Sequence, residues 1–450
     1  LTELSGIARR AVEAATGAGA SDAEAYVQRE SGRTVRAHGG EVESLTAAVQ
    51  TGVGIRAWVG RRVGYAYGTD LSEAGVEAIA ARAAEAAAVA DEDEFAAPPR
   101  PAEIEALPGL SDPSVGEWEV SRVAELAIAV ERTALESDLR LVAVETAVYA
   151  DADEQVAIAS SAGVAGEYET SSCYAYLQAL AEGDGARETG LGFGLARGPR
   201  GLDPEAIGAE GARRALEMIG AGKPESRSCP VVLDETVASS FVGLIGAGLG
   251  APAVQRGRSP FAGRLEEEMA SAAFVLHDDG RAPEGSASAP FDAEGVPSRR
   301  TALIDGGRLR AYLYDTYTAN RDGSASTGSA SRQGYRSLPL VSPSNLIVAP
   351  GSHSLEQLLA AAGEGVYVTD VAGLHSGVNP VTGVFSVGAS GRMIRDGALA
   401  EPVREFTIAG ELVAMLGAVE AAGSEPRWVP FGGSVSTPPL LIAEMAISGS

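Results

Sequence analysis

Two histidines one helical turn apart, with a glutamate beside the first, make a hydrolytic zinc site: the imidazoles hold the ion and the carboxylate takes a proton from its water. The four histidines of this chain, at 38, 277, 353 and 375, lie at least 22 residues apart, and none falls in a strongly helical pattern. His277-Asp278-Asp279 offers three donor side chains in a row, but it follows the apolar run AAFVL and reads as the turn that ends a strand. His375, in GLHSGVNP between a strand and a turn, is the better-placed base. Its neighbours Ser376 and Gly377 lack the GxSxG elbow of a serine nucleophile, and adjacent residues of a strand point to opposite faces. Cys173 and Cys229 form no CxxC pair and have no evident base beside them. No self-contained catalytic set emerges.

Recognition chemistry is concentrated instead in Arg310 to Arg336, RAYLYDTYTANRDGSASTGSASRQGYR. Tyr312, Tyr314 and Tyr317 fall within six residues, and the alternation of the first two with Ala311 and Leu313 predicts a half-buried strand. Asn320 to Gln333 contains no hydrophobic residue larger than alanine, so as a loop it stays ordered only if its Asn, Ser and Arg groups find partners. The alternative is a mobile surface loop.

The elements that must position these groups follow from periodicity. Leu4, Ile7, Ala8, Val12 and Ala15 predict a helix over Thr2–Thr16, and Ala23–Tyr67 switches to the period-2 pattern of antiparallel strands, with His38-Gly39-Gly40 as a hairpin turn. A helix over Leu71–Ala90 closes this unit, and the carboxylate run Asp91–Glu94 with the prolines at 98, 99 and 101 predicts a solvated, extended linker. A helix over Trp118–Glu136, strands over Arg140–Leu195 and a helix over Pro204–Gly220 follow. After the strand PVVLD, the run TVASSFVGLIGAGLG lacks both GxGxxG order and a P-loop Lys-Ser/Thr, so it reads as a closely packed buried helix rather than a nucleotide loop. The remainder is short strands between turns, with helices near Leu355–Ala362 and Gly410–Gly417. The expected class is α+β: an N-terminal helix and antiparallel-sheet unit over 1–95, a linker over 96–115, a central α+β unit over 116–225, and a larger β-rich C-terminal domain over 229–450.

Composition narrows the function classes. With 450 residues the chain has length for two or three cores at ~150 residues each. A net charge of −26 repels phosphate backbones and anionic lipid, which argues against nucleic-acid and membrane-surface roles. No apolar run approaches the ~20 residues of a membrane span. The opening LTELSGIARRAVEAA reads as an amphipathic helix rather than a signal peptide, so a cytoplasmic location is expected.

Taken in order, TGVGIRAWVGRRVGYAYGTDLS, PFDAEGVPSRRTALIDGGRLRAYLYDTYTANRDG with STGSASR behind it, SPSNLIVAPG, and GLHSGVNPVTGVFSVGASGRMIRDGALAEPVREFTIAGEL resemble the TldD/PmbA metallopeptidase family, on its PmbA (TldE) branch. The resemblance implies a pair of related chains. In the TldD-type subunit an HExxxH helix and a C-terminal cysteine hold zinc; the stretch in that position here, Phe241 to Gly248, has no His, Glu or Cys, and no cysteine follows Cys229. Without such ligands no ion lowers the pKa of a bound water. The resemblance therefore implies a non-catalytic, substrate-shaping subunit with no cofactor of its own, zinc in a TldD-like partner, and action on amide bonds of small or unfolded peptides or peptide-like natural products. It also implies a substrate-cavity or partner-interface role for Tyr312, Tyr314, Asp315, Tyr317, Asn320, Arg321, Arg332, Tyr335, His375 and Asn379. Arginine's fork suits a peptide C-terminus or an acidic side chain of the partner, unless Arg321 and Arg332 are internal staples. Two rivals stand beside this reading: a freestanding binding or scaffold protein, and an independent amide hydrolase built on His375, Asp315 or Asp278.

Overall fold

The computed structural model describes residues 2–450. Strands β1 (Asp22–His38) and β2 (Glu41–Val59) form a long hairpin through Gly39 and Gly40, both at positive φ, which explains glycine at the two turn positions. β3 (Arg62–Gly68) flanks β2. On its other side β1 pairs with β4 (Leu141–Ser160), followed by β5 (Ala165–Gly183) and β6 (Ala186–Ala196), giving one antiparallel sheet in the order β3-β2-β1-β4-β5-β6. The two expected N-terminal units thus share a sheet, joined by the β1–β4 ladder from Glu24 opposite Ser160 to Ala37 opposite Ala147.

One face of this sheet is covered by helices at both ends. Ala23, Ala25 and Val27 pack beneath helices Thr2–Gly17 and Glu73–Val89, while Val35 and Ala37 of the same strand pack beneath Val120–Ser137 and Pro204–Glu217. The alternate residues Glu24, Tyr26 and Gln28 point to the opposite face, where Tyr26 packs with Phe291 and Tyr335 of the C-terminal domain.

The C-terminal domain is strand-rich. Strands Arg227–Leu233, Gly365–Ala372, Val384–Arg395, Ala398–Glu411 and Leu440–Ser448 close into a barrel, because Ala398–Glu411 pairs with both its neighbour in sequence and the final strand. A second sheet of six includes Leu276–Asp279, Arg300–Asp305 and Asn345–Val348. Helix Glu235–Gly248 shares a single core with both sheets, burying Val237, Phe241, Val242 and Ile245. It starts where Asp234 Oδ1 accepts from Val237 N at 2.7 Å, the N-cap that a strand-to-helix turn requires.

Three local expectations change. His277 and Asp278 lie within strand Leu276–Asp279 rather than in a turn after it, since the ladder to Asn345–Val348 carries the strand on to Asp278. His375 sits in a single helical turn, Leu374–Gly377. The tyrosine segment is not a strand: the ladder stops at Leu309, and Thr316–Asp322 is a helix. Asp315 and Thr318 form a reciprocal capping box, and Gly323 ends the helix in the left-handed region, so local hydrogen bonds override the alternation of tyrosines.

Candidate functional site

Glu24 on β1 and Arg56 on β2 face each other in register, and they begin a chain of charges that crosses from the N-terminal sheet to the C-terminal domain. Arg56 bonds Glu24 Oε2 at 2.6 Å and Glu294 Oε1 at 2.8 Å. Glu24 Oε1 pairs with Arg332, whose side chain is only 1% exposed. Two cations and two anions therefore alternate in the interior, each charge flanked by the opposite sign, which is the condition for burying them. Burial pushes the Glu294 carboxyl up, but Arg56 beside it and the hydrogen bonding from Thr316 together more than reverse the effect and hold it below its ordinary range. Arg332 also donates to Ala293 O at 3.0 Å and Ser337 O at 3.2 Å and lies over the Tyr26 ring. Tyr335 is anchored alongside: its N–H donates to Gln28 Oε1 and its carbonyl accepts from Tyr65 Oη. Gly52 and Gly54 of β2 leave the space that its ring and carbonyl occupy, and a Cβ at either position would collide with them.

Above this network lies a cavity of about 500 Å³ between β2, the acidic linker and the Thr316–Asp322 helix. Asp315, Tyr317 and Arg321 line it. Burial pushes the Asp315 carboxyl up, partly offset by the hydrogen bonds from Thr318. Asn320 fastens the same helix to the linker through Phe95 O at 3.0 Å, and the Tyr317 ring meets Phe95 edge-on. The other two tyrosines face elsewhere: Tyr312 is buried with its hydroxyl donating to Phe261 O at 2.6 Å, and Tyr314 donates to Asp322 Oδ2 at 3.0 Å. Trp58 and Arg256, which line the cavity with Asp91 and Asp93 of the acidic run, have no local sequence signal of a site; only folding brings them together.

His375 and Asn379 are exposed and do not line this cavity. Asn379 Oδ1 accepts from Val381 N and Thr382 N, a turn-forming role. Asp278 is buried, accepts from Ser344 N and Oγ at 2.8 and 2.9 Å, and burial pushes its carboxyl up to about 7. Among the described residues no hydrogen bond links any two of His375, Asp278 and Asp315, so they do not form a catalytic relay. Cys173 and Cys229 are buried, and burial pushes the Cys173 thiol up to about 12, far from nucleophilic use.

The outer side of helix Glu235–Gly248 borders a small cavity of about 160 Å³, where Gly243 and Ala247 meet Ser342, Ser344 and Gly432. Glycines, alanine and hydroxyls supply no imidazole, thiolate or carboxylate, so these residues do not fit a zinc ion. Among the described residues no group of three or more His, Cys, Asp or Glu side chains could hold a metal. No helix among them is long and apolar enough to cross a membrane.

The chain matches three family models in order: PmbA/TldA metallopeptidase domain 1 over residues 23–87, the central domain over 113–219 and the C-terminal domain over 226–449. The chain belongs to the PmbA/TldD metallopeptidase family. It is 29% identical over 443 residues to the metalloprotease PmbA homolog of Haemophilus influenzae, covering 98% of this chain and 95% of that one. A TldD homolog of the same organism is 25% identical over 441 residues, covering 89% and 87%. The crystal structure of TldE from Thermococcus kodakarensis shares the fold, with a TM-score of 0.92 at 21% identity over 98% of this chain and 100% of that one.

Two outcomes follow. Arg332→Ala leaves two buried carboxylates, Glu24 and Glu294, to share the single guanidinium of Arg56 and should cost about 3–5 kcal/mol in denaturant unfolding of the isolated chain, whereas Arg321→Ala at the exposed cavity rim should change stability by under ~0.5 kcal/mol. For Asp278, the folded value of about 7 lies above the ordinary value of 3.8, so its contribution to stability is full at low pH and is lost as pH rises through the folded value. Asp278→Asn removes that ionisation, so the melting temperature of the variant relative to the parent should rise between acid and neutral pH; a constant difference would show that Asp278 does not titrate there.

Proposed function

We propose that this chain is the non-catalytic, substrate-shaping subunit of a TldD/TldE-like heterodimeric zinc peptidase, which hydrolyses amide bonds in small or unfolded peptides or peptide-like natural products. One observation carries the reading: the family's fold extends through all three domains, yet residues 241–248 of the helix after strand Arg227–Leu233 contain no metal-ligating side chain, and the C-terminal domain from Pro230 on has no cysteine. Zinc would then belong to a TldD-like partner. That relatives named as PmbA and TldD homologs occur in one organism supports a pairing of two related chains.

The N-terminal sheet has a surface suited to such a pairing. β3 covers the outer edge of β2 only over Val53–Val59, so residues 41–50 of β2 form a bare edge. Every residue of that stretch is exposed, including Val42, Leu45 and Val49, the last at 64%. A long edge with apolar side chains and free backbone groups is a template for another strand, and soluble chains keep one open mainly where a partner covers it. The TldD-like chain would add there.

Mixing the two subunits tests this. The expected result is a species near twice the 45.8 kDa of this chain on size exclusion, peptide hydrolysis only in the mixture, and loss of both in the double variant Leu45→Lys/Val49→Lys without a change in its own melting temperature. A partner fully active alone that does not associate would favour the scaffold reading, and chelator-sensitive hydrolysis by this chain alone would favour an independent hydrolase.

A further inference from the structure

Among the residues that line the cavity of about 500 Å³ beside β2 are hydrogen-bond donors with no partner in the chain. Trp58 is 1% exposed, yet its indole N–H has no acceptor. The Nε of Arg56, whose other nitrogens serve Glu24 and Glu294, is also buried without a partner. A buried donor left unpaired is costly, so it marks a place where an acceptor is expected. Two further guanidiniums, Arg256 and Arg321, line the same cavity from different elements. Both are exposed, and among the described residues neither makes an ion pair or hydrogen bond, in a chain where acidic residues outnumber basic ones by 61 to 35.

The acids lining the cavity do not answer these donors. Glu294 is paired with Arg56 and accepts from Thr316 N, Asp315 is occupied in the helix cap with Thr318, and Asp93 accepts from Phe95 N. Asp91 and Asp93 keep acceptor capacity, but no hydrogen bond or ion pair among the described residues joins either of them to Arg256 or Arg321. The rest of the wall is apolar, with Val63, Pro252, Leu338 and Val341. Unpaired guanidiniums in a cleft of this size with apolar walls match a ligand with a carboxylate and a short apolar body.

We propose that this cavity binds the free C-terminal carboxylate of a short peptide of roughly two to four residues, with Arg256 and Arg321 as the carboxylate fork and Trp58 as a buried donor to the peptide. The ligand class deepens the peptide-handling reading above, but the site belongs to this chain alone and requires neither zinc nor partner. It would select peptides by their free end, holding either a substrate's C-terminus or a released fragment.

Calorimetric titration of the full chain with Ala-Ala-Leu as free acid, and with the same tripeptide as its C-terminal amide, decides the matter. Saturable binding of the acid is expected, with the amide about tenfold weaker or worse, as the loss of charge-assisted hydrogen bonds implies. In Arg256→Ala/Arg321→Ala the preference for the acid should vanish at unchanged melting temperature, and Trp58→Phe, which keeps the ring and removes the N–H, should weaken binding of both forms. Equal affinity for acid and amide, undiminished binding by the double variant, or no saturable binding at millimolar peptide would overturn the proposal. Failure of the subunits to associate would leave it standing, so the two readings fail separately.

Discussion

The alternating chain Arg332, Glu24, Arg56, Glu294 is the constraint on which the rest of the architecture depends. Each of these side chains is nearly or fully withdrawn from water, and none could stay ionised there without its neighbours. Replacing any one leaves an odd charge in the interior, so the four residues demand one another across three segments far apart in sequence. Hydrophobic packing of Tyr26, Phe291 and Tyr335 brings the sheet and the C-terminal domain together, but it is non-directional. The charges fix the register.

That register is what makes a cavity. Glu294 is held by Arg56 and in turn accepts from Thr316 N, which sets the start of the short helix bearing Tyr317 and Arg321. The same helix reaches the acidic linker through Asn320. The arginines of this helix and of the loop behind it thus divide into two kinds. Arg332 spends its donors inside the chain, while the Arg321 guanidinium has no partner among the described residues. The barrel domain supplies the scaffold behind them, and its buried helix Glu235–Gly248, filled by Phe241, Val242 and Ile245, is occupied with packing.

Much of the element order was legible because periodicity reports burial directly. The helices over Thr2–Gly17, Glu73–Val89, Val120–Ser137 and Leu355–Ala362 lie within a few residues of their expected bounds, since each carries one apolar face against a sheet. The helix Thr316–Asp322 was missed although its signals were present: Asp315 and Thr318 at capping-box spacing and Gly323 as terminator. Alternating tyrosines outweighed them. Closure of the barrel and the shared N-terminal sheet leave no mark in local pattern, because both depend on which strands pair. Convergence of Trp58, Asp91, Arg256 and Arg321 on one cavity is likewise tertiary, and only the last stood out in a segment already rich in polar side chains.

A subunit that shapes substrate without holding the metal makes a specific demand on the assembled complex. Native mass spectrometry of the purified pair, followed by separation of the subunits and zinc analysis of each, examines that demand most directly. One zinc per two chains, retained by the TldD-like subunit, is the expected result. Two zinc ions per pair, or zinc that travels with this chain, would contradict it.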